Sequence, residues 1–259
     1  MVVSAAILFM VLGVAYLTLA DRKGMACLQR RVGPNAVGVW GTLQPFADAL
    51  KLLTKELVYL DQMISGLSQA LPIVTLSCRL ANYATLPLLP MRVILDTPLQ
   101  VMSTLALIGL ALHGILYVAW GAGNSFSFLG SVRTTAQLVS YELPLTTVFF
   151  LASLSVGTLR YLDLWEASSA QSLGNQLLPA LPLFLISALA ETSRTPFDLP
   201  EAESELVAGF ITEISATPFV LYFLAEYSSL VFLSLVPRVV FFPQHLCLVV
   251  TVLLLIFAV

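Results

Sequence analysis

The sequence predicts an all-α polytopic membrane protein, with about seven membrane-spanning helices and one amphipathic helix at the membrane surface. Hydrophobic residues make up 58% of the 259 residues and charged residues only 10%, too few to cover the surface of a soluble protein with charge. Apolar runs of about the length that crosses a bilayer recur along the chain. We therefore expect a single membrane domain over residues 1–259.

The first apolar run covers residues 2–20, which is about the length that a bilayer core requires. We expect a spanning helix and not a cleaved signal, because no basic region precedes the run and it is too long for a signal core. The missing presequence favours a chain that is made beside its own membrane. This points to the mitochondrial inner membrane, with a bacterial plasma membrane as the alternative.

The longest polar segment, residues 21–69, contains half of the 12 Lys and Arg residues. By the positive-inside rule it marks the matrix or cytoplasmic side. Within it, TLQPFADALKLLTKE predicts an amphipathic helix capped by Thr42, with Asp48, Lys51 and Lys55 on one face and apolar side chains on another. Such a helix rests on lipid headgroups or docks a soluble partner, and periodicity leaves both open.

Five further spans are expected, at about 70–90, 99–120, 135–157, 176–190 and 214–236. Arg79 lies in the middle of the first of these, where it snorkels, faces a neighbouring subunit or has a function of its own. A glycine-rich loop is expected to continue to Gly130. Glu142, followed by Pro144, predicts either an interrupted hydrogen-bond ladder beside an ionisable group or a carboxylate at headgroup depth.

The last apolar run, 239–259, follows the sixth span after only two residues, Pro237 and Arg238. Two residues are too few to turn a pair of helices comfortably. We therefore expect that residues are missing between Leu235 and Arg238.

An acidic island at 191–213 contains six of the 15 carboxylates and lies between two long apolar runs. Charged groups next to hydrocarbon are costly, which favours a functional role over a solvated connecting loop. Asp198 and Glu201 have the spacing of a capping box, with Pro200 in the first turn. This predicts a short helix along a wall, and the alternation of spans places the island on the same side as residues 21–69.

Metal and nucleic-acid binding receive no support from the sequence. The three cysteines and two histidines are isolated, so no iron–sulfur cluster, zinc or haem is expected in this chain. The formal net charge is only −3, and no run of like charge suggests a nucleic-acid partner.

Three long motifs occur in the order typical of one known family. They are DRKGMACLQRRVGPNAVGVWGTLQPFADALKLLTKE, AQLVSYELPL and ETSRTPFDLPEAESELVAGFITE, the last followed by PFVLYFLAEY. The chain resembles the membrane subunit of respiratory complex I that joins the proton-pumping arm to the soluble electron-transfer arm. That family has eight spanning helices, and it usually has Glu where this chain has Asp21.

The resemblance implies a core subunit of NADH:ubiquinone oxidoreductase that helps to form the quinone chamber, without a complete active site of its own. Ubiquinone is the implied substrate, and it would enter from the bilayer between the first and sixth helices. Cations near the quinone would meet the negative charge of its reduction. The implied quinone-binding residues are Arg22, Lys23, Arg194, Phe197, Asp198 and Phe210.

Crowded carboxylates titrate as a coupled set and can exchange protons near neutral pH. The implied proton or coupling residues are Glu142, Glu191, Glu201, Glu203, Glu205, Glu213 and Glu226. The implied partners are soluble quinone-module subunits on the basic loop, neighbouring membrane-arm subunits and membrane lipid.

Two other functions stay open from the residues alone. A stand-alone cation or proton transporter would use the buried acids as its path, but it has no need of a basic docking loop. The related subunit of a membrane-bound hydrogenase would share the motifs and serve a different soluble arm.

Overall fold

The computed structural model describes residues 2–57, 63–87, 93–169, 176–198, 209 and 212–241. Within these ranges the regular secondary structure is helical, so the all-α part of the predicted fold class is confirmed. The α-helices in these ranges are α1 (Val2–Leu28), α2 (Gln44–Thr54), α3 (Ser65–Thr85), α4 (Gln100–Gly121), α5 (Ser125–Val156), α6 (Tyr161–Ser169), α7 (Leu181–Glu191) and α8 (Ala216–Val240).

Three of these helices, α4, α5 and α8, are long and apolar enough to cross a membrane. A shorter apolar helical segment covers Leu178–Glu191, where a 3-10 turn leads into α7. Together they indicate a protein that crosses the membrane several times. The count of seven spans stays a prediction.

The amphipathic helix α2 begins two residues after the predicted cap. Leu43 precedes it without a side-chain cap, and Thr42 instead ends the 3-10 turn Val39–Gly41, so the assignment of Thr42 as N-cap is wrong. The apolar side chains Phe46 and Leu50 of α2 are 43% and 64% exposed. The helix therefore presents an uncovered apolar face within this chain.

Helix α5 begins earlier than predicted. The expected glycine-rich loop to Gly130 is wrong, because the helix starts at Ser125 and Gly130 is buried inside it. Asn124 is the N-cap, and its Oδ1 accepts a hydrogen bond from the Phe126 backbone N–H at 3.1 Å. An Asn cap therefore starts the helix in a stretch where glycine content suggested a loop.

Two prolines lie inside continuous helices. Helix α5 runs unbroken across Pro144, so the expected interruption beside Glu142 is limited to the one N–H that proline lacks. Helix α8 likewise passes Pro237 and Arg238 and ends at Val240, so no turn separates the two apolar runs there. The expectation of missing residues stays a prediction, and residues 242–259 lie outside the described ranges.

Helix ends meet at two opposite ends of the bundle. At one end, Asn124 Nδ2 donates to Glu213 Oε1 at 2.6 Å, which joins the start of α5 to the segment before α8. At the other, Arg160 Nη2 pairs with Asp96 Oδ2 at 2.6 Å, which joins the segment after α5 to the segment before α4. These contacts fit helices that run alternately up and down.

Helices α3 and α4 are in close contact at Gly114. A β-carbon at this position would lie 2.0 Å from Thr75 Cγ2 of α3. The Gly114 carbonyl also accepts a hydrogen bond from the Tyr222 hydroxyl of α8 at 3.0 Å. The missing side chain at position 114 therefore allows three helices to meet.

Replacing Gly114 with Ala is expected to push α3 from α4 and to lower the free energy of unfolding by about 1–3 kcal/mol, the usual cost of overpacking. The measurement is thermal unfolding of the protein in detergent. Gly13→Ala is the matched control, because a β-carbon on Gly13 meets nothing within 4 Å. Equal stability of the two variants would contradict the packing argument.

Candidate functional site

The predicted site residues divide into those that the structure describes and those that it does not. Glu201, Glu203, Glu205 and Phe210 lie outside the described residues, and so does the predicted helix that follows Asp198. The described site residues are Arg22, Lys23, Glu142, Glu191, Arg194, Phe197, Asp198, Glu213 and Glu226.

A cavity of about 60 Å³ lies inside the helix bundle. Its charged lining residues among those described are Arg79 of α3, Glu191 of α7 and Glu226 of α8. Hydroxyl groups also line it, and apolar side chains make up the rest of the walls. The hydroxyl groups belong to Thr75, Thr134, Ser193, Tyr222 and Ser229. The lining surface is mainly apolar, with these polar groups set into it. A cavity of this volume has room for roughly four water molecules, since each needs about 10–15 Å³.

Arg79 and Glu191 form a salt bridge in this cavity. Arg79 Nη1 lies 3.1 Å from Glu191 Oε1, and the two side chains are only 9% and 3% exposed. The expectation that Arg79 snorkels or faces a neighbouring subunit is therefore wrong, because its partner lies inside the same chain. Removing one partner of a buried pair costs about 3–5 kcal/mol, since the other charge is left uncompensated.

Glu142 lies close to these groups but does not line the cavity. Its Oε1 is 3.1 Å from the position that a β-carbon on Gly109 of α4 would occupy. Gly109 is near the middle of α4, so the alternative of a carboxylate at headgroup depth is not supported. Glu142 interacts electrostatically with Glu191, which connects it to the cavity.

Glu213 is separate from the cavity. It precedes α8, and its Oε1 accepts the hydrogen bond from Asn124 Nδ2. Because Asn124 Oδ1 also caps α5, a single amide joins the start of α5 to this carboxylate. Glu213 therefore lies at one end of the bundle, while Glu226 lies within it.

A second cluster, the Arg194 cluster, consists of Asp21, Arg194 and Tyr227. Arg194 Nη2 lies 3.6 Å from Asp21 Oδ2, and its guanidinium carbon is 4.7 Å from the centre of the Tyr227 ring. Burial lowers the pKa of Arg194, but the hydrogen bond to Tyr227 and the nearby carboxylates outweigh it and raise the pKa overall. Arg194 is therefore a permanent cation at the junction of α1 and α8.

Arg22 and Lys23 are not brought together with Arg194. Arg22 Nη1 pairs with Asp48 Oδ2 of α2 at 2.5 Å, and both side chains are more than one third exposed. Lys23 Nζ donates a hydrogen bond to the Trp40 backbone oxygen. These two cations tie α1 to the amphipathic helix and the loop before it.

Phe197 packs against α5. Its ring lies 5.1 Å from the ring of Tyr141, and Gln137 Nε2 donates hydrogen bonds of 2.9 Å to the backbone oxygens of Ala190 and Phe197. The segment after α7 is thus fixed on α5 at Gln137 and Tyr141, and Tyr141 directly precedes Glu142 in the sequence. Asp198 follows at its exposed end.

Sequence reasoning missed Asp21 and Arg79 as site residues. Asp21 pairs with a residue 173 positions later and Arg79 with one 112 positions later, so no local pattern shows either pair. The available signal was a charged side chain inside or directly after an apolar run. In the described part of the chain, no group of three or more His, Cys, Asp or Glu side chains is placed to hold a metal ion.

A family model for NADH dehydrogenase matches residues 1–259. NADH-ubiquinone oxidoreductase chain 1 of Mycosarcoma maydis is 46% identical over 230 residues, which cover 89% of this chain and 70% of the relative. The same chain of Neurospora crassa is 47% identical over 235 residues, which cover 91% of this chain and 63% of the relative.

Chain 1 of Yarrowia lipolytica is 44% identical over 221 residues, covering 85% of this chain and 65% of the relative. The matched region thus spans 63% to 70% of the length of these three relatives. The resemblance seen in the three long motifs is confirmed over most of the chain, which therefore belongs to the NADH-ubiquinone oxidoreductase chain 1 family, the membrane subunits of respiratory complex I.

Proposed function

We propose that this chain acts as a core membrane subunit of NADH:ubiquinone oxidoreductase, forms part of the quinone chamber and couples quinone reduction to proton movement through internal carboxylates. The observation that supports this most directly is the position of Glu226 and Tyr227. These neighbours on α8 link the two polar sites, since Glu226 lines the cavity and Tyr227 contacts Arg194.

Two-electron reduction of a quinone creates negative charge, which protons or nearby cations must meet. Arg194 supplies a fixed positive charge at the contact between α1 and α8, the first and sixth of the expected spans. Glu226 lies close enough to Arg194 for the two charges to interact. In this proposal, a change of charge at the quinone changes the electrostatic potential at Glu226, a carboxylate of the cavity.

The proposed quinone path runs between α1 and α8 toward Arg194. Phe197 and Phe210 supply apolar surface, Asp198 lies beside Phe197, and Arg22 and Lys23 shape the entrance by holding α1 against α2 and its loop. Ubiquinone is the proposed substrate, and we propose no metal or covalent cofactor for this chain.

The proposed coupling path begins at the acidic island with Glu201, Glu203, Glu205 and Glu213. It continues into the bundle through Glu226, Glu191 and Glu142. The room for water inside the cavity supports such a path, because water is needed to bridge carboxylates that do not touch.

The proposed partners are the other complex I subunits, with a soluble quinone-module subunit on the basic loop and membrane-arm subunits beside the helices. The exposed apolar face of α2 suits either that soluble subunit or lipid headgroups. The fungal relatives favour the mitochondrial inner membrane as the location. Their printed names also favour this function over a stand-alone transporter or a hydrogenase subunit.

Replacing Asp198 or Glu203 with Ala is expected to reduce quinone-dependent NADH oxidation several-fold. Oxidation with a water-soluble acceptor should stay nearly unchanged, because the electron-transfer arm is intact. Asp163→Ala is the matched control, because Asp163 lies at the other end of the bundle beside Arg160. Equal loss with both acceptors would instead indicate failed assembly.

Replacing Glu142 with Gln is expected to lower proton pumping per NADH oxidised more than it lowers the amount of assembled complex. Gln keeps the size of the side chain beside Gly109 but cannot take up or release the proton. Pumping is measured in sealed vesicles and assembly on native gels, with Asp163→Asn as the control. Unchanged pumping would remove Glu142 from the path.

A further inference from the structure

Arg79 is a charged group for which the proposed coupling path gives no role. Its guanidinium cannot be deprotonated in a protein, so a buried Arg79 is a permanent positive charge inside the bundle. The whole residue is only 8% exposed, which leaves little contact with solvent to compensate that charge. An anion inside the chain must therefore match it.

Glu191 is that anion. Among the described residues, Glu191 is the carboxylate that lies within ion-pair distance of Arg79. Its Oε1 is 3.1 Å from Arg79 Nη1. The other titratable or charged groups around the pair are Tyr83 of α3, Glu142 of α5, and Tyr222 and Glu226 of α8. Helix α4 contributes apolar side chains to the cavity. No second described cation lines the cavity with Arg79.

We propose that Arg79 positions Glu191 and keeps it permanently ionised, so that Glu191 is a fixed anion of the cavity and not a carrier of protons. The reason is the asymmetry of the pair: a proton on Glu191 would leave Arg79 as an unpaired buried cation. Protons in transit would then use Glu226 and Glu142. This inference rests on the proposed coupling function and changes the role of one residue in it.

The pairing has a structural consequence as well. Glu191 is the last residue of α7, directly before the segment that contains Arg194 and Phe197. The salt bridge therefore anchors the end of α7 to α3, as Gln137 anchors it to α5. A fixed charge at this point keeps the segment after α7 in place beside the cavity.

The first test uses charge-neutral rescue in the intact complex. Arg79→Met should reduce the amount of assembled complex several-fold, because it leaves Glu191 unpaired. The double variant Arg79→Met/Glu191→Gln should return that amount toward the wild-type level. Arg79→Met/Glu226→Gln is the matched control and should not. The pairing would be overturned if Arg79→Met/Glu226→Gln restored assembly and Arg79→Met/Glu191→Gln did not. It would also be overturned if neither double variant restored assembly.

The second test reads protonation directly, by infrared difference spectra of the purified complex recorded between two pH values. In the wild-type background, Glu191→Gln should remove no band of a titrating carboxyl group. Arg79→Met should add such a band, and the double variant Arg79→Met/Glu191→Gln should lack it. Arg79→Lys keeps the positive charge and should add none. A wild-type band that disappears in Glu191→Gln would show that Glu191 exchanges protons and would overturn the proposal.

These two tests do not depend on quinone chemistry. If Glu142→Gln did not change pumping, the proposed coupling path would be contradicted, but the spectroscopic result for Glu191 would still stand. A titrating Glu191 would count against the role of Arg79 and leave the coupling path in place. The two failures are therefore distinguishable.

Discussion

The salt bridge between Arg79 and Glu191 is the interaction on which the polar interior of this chain depends. A permanent cation near the middle of an apolar bundle is tolerated only with a matched anion. The ion pair joins α3 to the end of α7, through two residues that are 112 positions apart in the sequence. Once it is made, both charges lie beside a cavity that Glu226 also lines.

Helix α8 connects this cavity to the rest of the site, and tyrosine hydrogen bonds fix its position. Tyr222 of α8 donates to the Gly114 oxygen of α4, and Tyr83 of α3 donates to the Ser228 oxygen of α8. Glu226 and Tyr227 lie between these two attachments. The distance from the cavity to Arg194 is therefore set by a helix that is held on both sides, which favours a constant electrostatic coupling between the sites.

Local patterns predicted much of the fold and only part of the site. The long apolar runs of α4 and α8 and the amphipathic α2 were visible from periodicity and length. The start of α5 was missed because its signal is a single Asn cap. The end of α8 was missed because Pro237 and Arg238 suggested a boundary between two apolar runs, whereas the helix continues through them. A helix surrounded by apolar neighbours retains its other backbone hydrogen bonds when one donor is lost.

The site residues that escaped prediction have a common cause. Asp21 and Arg194, like Arg79 and Glu191, are joined only by the fold, so a sequence identifies them as charges without showing their partners. Resemblance to a family supplied candidate carboxylates, but it gave no reason for Arg79. The buried contact supplied a partner for Arg79, and it is the basis for our proposal that Glu191 acts as a counter-ion.

In a membrane the hydrophobic effect does not draw helices together, so close contacts at small residues and polar interactions must do so. Gly114 and the Tyr222 hydroxyl provide such a contact, and the Arg79–Glu191 pair provides another. The groups proposed to govern charge in the cavity are thus also groups that hold the bundle. A single charge-removing substitution disturbs both. For this reason the amount of assembled complex separates the electrostatic role of the pair from its structural one when two opposite charges are removed together.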